Sequence, residues 1–127
     1  MYTVLVAEDD VYLRDAYVII LKSAGYSVEG VENGKLALES IEKSPPDVLL
    51  LDMLMPIMSG MELLETLSAK GLLADLKVIA FTNLSDKTTV ERLKGYKVDK
   101  YLLKSSVMPG ELVKHIQETI NNKETSL

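Results

Sequence analysis

Residues 45–60 read PPDVLLLDMLMPIMSG. Val48 to Leu51 are wholly apolar, and the run stops at a carboxylate, Asp52. A short continuous apolar run is the pattern of a strand buried on both faces. Pro45 and Pro46 must follow the preceding helical segment rather than join it. Beyond Asp52, a loop leads to Ser59 and Glu62, spaced as a capping box. Leu63, Leu64 and Leu67 stand behind them at helical spacing. The segment therefore predicts a core strand, an acidic strand end and a helix.

The same unit recurs on either side. TVLVA (3–7) reads as a buried strand that runs into EDD (8–10). From Asp10, residues Leu13, Tyr17, Ile20, Leu21 and Ala24 recur at helical spacing, and Gly25 is the stop. YSVEGV (26–31) alternates more and suits an edge strand, and Leu36, Ala37, Leu38 and Ile41 mark a helix before the prolines. LKVIAFT (76–82) predicts strand four, SDKTTVERLKG (85–95) a short helix and DKYLLK (99–104) strand five. The last helix spans MPGELVKHIQETINN (108–122), with Pro109 suited to the first turn and Leu112, Val113, Ile116 and Ile120 on one face. Residues 122–127 are expected to fray. Five strands alternating with five helices imply an α/β fold, doubly wound around a parallel sheet and covered on both faces. Ligands in such sheets bind outside the carboxyl ends of the strands.

Length and charge narrow the function classes. The 127 residues suit one domain spanning 1–127, without internal repeat or linker. A net charge of −5 and the absence of a basic reading segment argue against direct nucleic-acid binding. The chain has no Cys, which removes disulfides and thiolate metal sites. Neither a signal peptide nor a membrane span is visible, so the expected location is the cytoplasm.

The strand ends hold the chemistry. Strand one ends at Glu8 and Asp9, strand three at Asp52, strand four at Thr82 and strand five at Lys104. One rim thus receives three carboxylates, a hydroxyl and an ammonium. Converging carboxylates repel and raise one another's pKa values, and a hard divalent cation such as Mg²⁺ relieves them. Such a site, with Thr82 to donate a hydrogen bond and Lys104 to balance charge, suits phosphoryl transfer to a carboxylate. In isolation, Asp52 would read as an Asp opening a turn, and the acidic run as a helix cap, the role assigned to Asp10.

VLVAEDD, LLLDMLMPIMSG, VIAFT and YLLK, in this order and spacing, resemble the receiver domain of two-component response regulators. The resemblance spans nearly the whole chain and implies a flavodoxin-like sheet in the order 2-1-3-4-5. It implies that Asp52 accepts a phosphoryl group from a phosphohistidine on a sensor kinase or histidine phosphotransfer protein. It further implies that Asp9 holds Mg²⁺ (or Mn²⁺) directly, Glu8 through water and Leu54 through its backbone carbonyl, with Asp52 completing the set. Thr82 would turn toward the new phosphoryl group, Lys104 would pair with it, and Tyr101 would swing inward, unless Tyr101 is plain core packing. The last two helices and strand five would then control a protein partner or an output domain, or pair in a homodimer. Such a switch is no enzyme beyond its own phosphorylation and slow dephosphorylation.

Departures from the family pattern carry expectations of their own. Ser105 replaces the usual Pro after the Lys, so the bond before it is either trans or a cis bond costing about 2.5–4 kcal/mol. Lys97 stands where a Gly is common, with Gly95 two residues earlier, so the fourth helix should end differently. Asn83 narrows access to the site, and Leu54 and Leu84 are poor at orienting an attacking water, which implies a long-lived phosphoryl-aspartate. His115 reads as surface, and the methionines read as core filler around the third helix.

Three rival readings make different demands on the sequence. A degenerate receiver would bind partners without phosphorylation. A haloacid-dehalogenase-type phosphatase would need an acid/base Asp at the position of Leu54. A flavodoxin-like cofactor binder would need a phosphate cradle where AEDD stands.

Overall fold

The computed structural model describes residues 1–82 and 91–121. Strands β1 (Thr3–Ala7), β2 (Ser27–Val31), β3 (Val48–Leu51), β4 (Lys77–Thr82) and β5 (Lys100–Leu103) form one sheet in the order β2-β1-β3-β4-β5. Every neighbouring pair is parallel. Helices α1 (Val11–Ser23), α2 (Gly34–Lys43) and α3 (Gly60–Ala69) follow the first three strands. Residues 91–93 are the described part of α4, and α5 spans Pro109–Asn121. The rest of the helix expected over 85–95, and the tail 122–127, lie outside the described residues.

Side-chain alternation along the central strands sorts the core into two layers. Leu5, Ala7, Leu49, Leu51, Val78 and Ala80 meet Ala37 and Ile41 of α2 and Leu63, Leu64 and Leu67 of α3. Val4, Val6, Val48, Leu50, Ile79 and Phe81 point the other way, onto Tyr17 and Leu21 of α1 and Leu112, Ile116 and Ile120 of α5. Fully burying one such aliphatic side chain stabilises the fold by about 1.5–3 kcal/mol. β2 is an edge strand, exposed at three of its five positions, as its alternating sequence implied. Met53 and Met61 fill the α2–α3 layer with Met55 and Met58 packed against it, whereas Met1 and Met108 are exposed.

Caps fix where the helices begin. The Asp10 carboxylate accepts from the amides of Tyr12 (2.9 Å) and Leu13 (3.1 Å) ahead of α1. Ser59 and Glu62 form the capping box of α3, with bonds of 2.9 and 3.1 Å. Gly60 is required there, because a Cβ would lie 2.5 Å from the Asp52 carbonyl oxygen and 2.8 Å from Met53 Cα. The first turn of α3 is thereby pressed onto the backbone that follows β3.

The start of the sheet is tied down separately. Asp47 accepts from the Thr3 amide at 2.7 Å, and Asp99 accepts from the Val78 amide at 2.7 Å. Lys97 pairs with Asp99 at 2.9 Å and also donates to the Leu76 carbonyl. The Gly95 amide donates to the Arg92 carbonyl at 3.1 Å in the turn that ends α4.

Candidate functional site

Strand register alone brings the site together. Ala7 of β1 stands opposite Leu51 of β3, so the next residues, Glu8 and Asp52, leave the sheet side by side. The Asp52 amide extends this ladder to the Ala7 carbonyl at 3.0 Å, and the Glu8 amide reaches the Val31 carbonyl at 3.0 Å. Thr82 of β4 pairs with Leu103, which puts Lys104 one residue beyond the same rim. Lys104 does not end β5 as expected; it opens a 3₁₀ turn, Lys104–Ser106. The strand stops one residue earlier, the backbone turns there, and the Lys104 ammonium lies against Glu8 at the rim.

Carboxylate oxygens of Glu8, Asp9 and Asp52 lie within 4.8 Å of one another. Glu8 and Asp52 are buried, at 2% and 6% exposure, while Asp9 faces solvent. The Lys104 ammonium donates to Glu8 Oε1 and stands 3.3 Å from Asp52 Oδ2. Glu8 Oε2 accepts from the Asp10 amide at 3.2 Å, and Asp52 Oδ1 accepts from the Leu54 amide at 3.2 Å.

These contacts set the electrostatics. Burial pushes the carboxyls of Glu8 and Asp52 above the usual carboxylate range, and the attraction of Lys104 only partly offsets it. Burial alone would lower the Lys104 ammonium, but the two carboxylates outweigh it and hold the ammonium above its ordinary value. Among the described residues, one cation whose side chain is 10% exposed therefore faces two buried carboxyls, with the exposed Asp9 at the mouth.

The other expected residues are distributed as follows. The Thr82 side chain, Asn83 and Leu84 lie outside the described residues. Leu54 is 59% exposed at the rim. Tyr101 stands opposite Ala80 in the sheet and is 44% exposed, so it is not core packing. No peptide bond among the described residues is cis, so Lys104–Ser105 is trans. His115 is not plain surface: its Nδ1 lies 3.0 Å from the Lys100 ammonium, which also pairs with Glu118. Lys100 on β5 and His115 on α5 meet only once the sheet is assembled, which the helix's own polar pattern does not reveal.

Two features of the rim are not announced by any local sequence pattern. Ile57 has φ 70°, and the Met58 amide donates to the Pro56 carbonyl at 2.7 Å across it. A γ-turn with a positive central φ is rare and strained, more so at a β-branched residue. Arg14, one turn into α1, donates from Nη1 to the Glu8 carbonyl at 2.8 Å.

The donor set fits a hard divalent cation. All its groups are carboxylates, two of them are buried with Lys104 as the one counter-charge paired to them among the described residues, and Asp9 is exposed to solvent. Glu8, Asp9 and Asp52 are the residues that could hold it.

Comparison with known proteins bears on the same rim. Residues 4–117 match the family model described as the response regulator receiver domain. The phosphate regulon transcriptional regulatory protein PhoB of Pseudomonas aeruginosa is 30% identical over 93% of this chain and 51% of its own length. The crystal structure of a CheY-like response regulator receiver domain protein from Methanospirillum hungatei is 28% identical, with TM-score 0.89 over 100% of this chain and 99% of that one. A DNA-binding response regulator of the LuxR family from Staphylococcus aureus is 33% identical, with TM-score 0.86 over 95% of this chain and 100% of that one. The chain spans about half the length of the curated relatives it matches. The expectation of no direct nucleic-acid contact is not borne out, since relatives are named as transcriptional or DNA-binding regulators. The net charge of this chain does not speak to the part of those relatives that it does not match. Among the described residues no helix is long and apolar enough to cross a membrane.

Proposed function

Because this chain belongs to the response regulator receiver domain family, we propose that it is a phosphoryl-accepting switch of a two-component phosphorelay, with Asp52 as the acceptor. The observation that carries this reading is the placement of Asp52. It is a buried carboxylate at the end of a central strand, within 4.8 Å of two further carboxylates and 3.3 Å from an ammonium.

The chemistry follows from that placement. A carboxylate oxygen of Asp52 forms a bond to the phosphorus of a phosphohistidine as the N–P bond breaks and the imidazole leaves. Such transfer depends on positioning and on neutralised charge rather than on an elaborate covalent apparatus. Glu8, Asp9, Asp52 and the Leu54 carbonyl would hold Mg²⁺ or Mn²⁺, which when bound supplies charge neutralisation for the incoming oxygens. Lys104, which neutralises Glu8 and Asp52 before the reaction, transfers its pairing to the new phosphoryl group. The added charge, near −1.5 to −2 in phosphate esters, then biases a two-state element. Thr82 turns toward it, and Tyr101, half exposed on β5, has somewhere to move from.

The α4–β5–α5 face reports the change to a downstream protein or output domain, or to a second copy of the chain. A sensor histidine kinase or histidine phosphotransfer protein supplies the phosphoryl group in the cytoplasm. The chain turns over no other substrate. Leu54 offers no polar atom beyond its backbone to orient an attacking water, which supports a long-lived phosphoryl-aspartate.

Intact mass after incubation with acetyl phosphate tests the reading, with and without Mg²⁺ and beside Asp52→Ala. One phosphate adduct that needs both Mg²⁺ and Asp52 is expected, with slow loss after the donor is removed. A folded protein that binds Mg²⁺ yet takes no phosphate from acetyl phosphate or from a panel of phosphorylated kinases would favour a phosphorylation-independent binding module.

A further inference from the structure

We propose that Arg14 is a positioning residue for the cation site, acting through the backbone of Glu8. The inference rests on the phosphoacceptor reading and extends it to a residue outside the acidic set. Glu8 is the first residue past the β1 ladder, so no strand pairs with its carbonyl. A buried carbonyl left unpaired costs about 1–3 kcal/mol. The Arg14 guanidinium supplies the missing donor at 2.8 Å, while the Glu8 amide is held by Val31 at 3.0 Å. Both backbone groups of Glu8 are therefore fixed. The Asp10 carboxylate caps α1 just beyond, leaving Asp9 on a short segment anchored at each end.

The path of the Arg14 side chain is set by the sheet. Its stem crosses β2 at Gly30, where a Cβ would lie 3.1 Å from Arg14 Cγ and 3.2 Å from Cδ. Val18 Cγ2 lies equally near, at 3.1 Å, so a Cβ at Gly30 would press both side chains by a few tenths of an ångström. Arg14, packed over Gly30, holds the Glu8–Asp9 backbone in the orientation that aims both carboxylates at Asp52. Groups that orient metal ligands typically change affinity by 10–100-fold when removed.

Calorimetric titration with Mg²⁺ tests this on Arg14→Met, Arg14→Lys and Gly30→Ala, together with the rate of acetyl phosphate labelling at saturating Mg²⁺. Arg14→Met keeps the stem without the donor and should raise the Mg²⁺ Kd about tenfold. Labelling at saturating Mg²⁺ should stay near wild type, because the acceptor is untouched. Arg14→Lys restores a donor and should recover part of the affinity, and Gly30→Ala should weaken it while keeping Arg14. Ile120→Ala, in the last turn of α5 at the opposite end of the sheet, controls for a general loss of stability and should leave Kd unchanged. An unchanged Kd in Arg14→Met, or an equal loss in Ile120→Ala, overturns the inference. If Arg14→Met does not fold, Arg14→Leu, which also lacks the donor, decides in its place, and wild-type affinity in it overturns the inference. Failure of wild type to bind Mg²⁺ would instead overturn the underlying reading.

Discussion

The Lys104 ammonium lies 3.3 Å from the Asp52 carboxylate, with the two side chains only 10% and 8% exposed. The residues are 52 positions apart in the chain, and only the β3–β4–β5 register makes them neighbours. Because Lys104 also serves Glu8, its removal strands two acids at once.

Lys104→Met should therefore destabilise the metal-free protein by about 3 kcal/mol, the scale for breaking a buried ion pair. Mg²⁺ should restore part of that loss by supplying the missing positive charge. Urea denaturation with EDTA and with Mg²⁺ measures both effects. A variant as stable as wild type in EDTA would contradict the pairing.

Asp52→Asn should act in the opposite direction. Glu8 and Asp52 hold protons to higher pH when folded than when unfolded, chiefly through burial. Stability therefore falls as pH rises from the unfolded carboxylate pKa of about 4 through the raised folded values. In EDTA at neutral pH the amide should gain about 0.5–2 kcal/mol, seen as a higher Tm by circular dichroism. The gain should vanish in acid, where wild type is protonated in both states. A lower Tm for the variant at neutral pH would show that attraction to Lys104 outweighs burial.

Ile57→Gly should also stabilise the protein. A left-handed φ at a residue with a Cβ costs about 1–2 kcal/mol, and glycine removes most of that. The gain should be about 1 kcal/mol in chemical denaturation, after glycine's greater unfolded-state entropy is set against it. No gain would mean that Ile57 carries little strain.

Gly60→Ala should cost about 1–3 kcal/mol, because the added carbon meets backbone that cannot rotate aside. The same clash should disturb Asp52 and slow acetyl phosphate labelling. A fully stable, normally labelled variant would place the α3 turn further from β3 than 2.5 Å implies.

Much of the fold was legible in the sequence because its signals are local. Apolar runs gave the strands, helical spacing gave α1, α2, α3 and α5, and Ser59 with Glu62 gave a capping box that forms as read. The acids at the ends of β1 and β3 were legible once the strands were known to be parallel. The less legible features depend on pairings between distant segments. That Lys104 is already engaged by Glu8, that Arg14 serves the Glu8 carbonyl, and that Lys100 meets His115 all follow from assembled tertiary contacts. The positive φ of Ile57 lies on a residue whose own preference argues against it, so no pattern announces it.

The strand order has a bearing on how the chain reaches its shape during synthesis. With β2-β1-β3-β4-β5, β2 adds beside β1, and β3 then takes its other flank. β4 and β5 follow outward from β3, each joining a free margin. No later strand has to wedge between two that are already paired, so a polypeptide leaving the ribosome can assemble in the order in which it emerges. The acids of β1 and β3 then meet before the lysine that neutralises them has been translated.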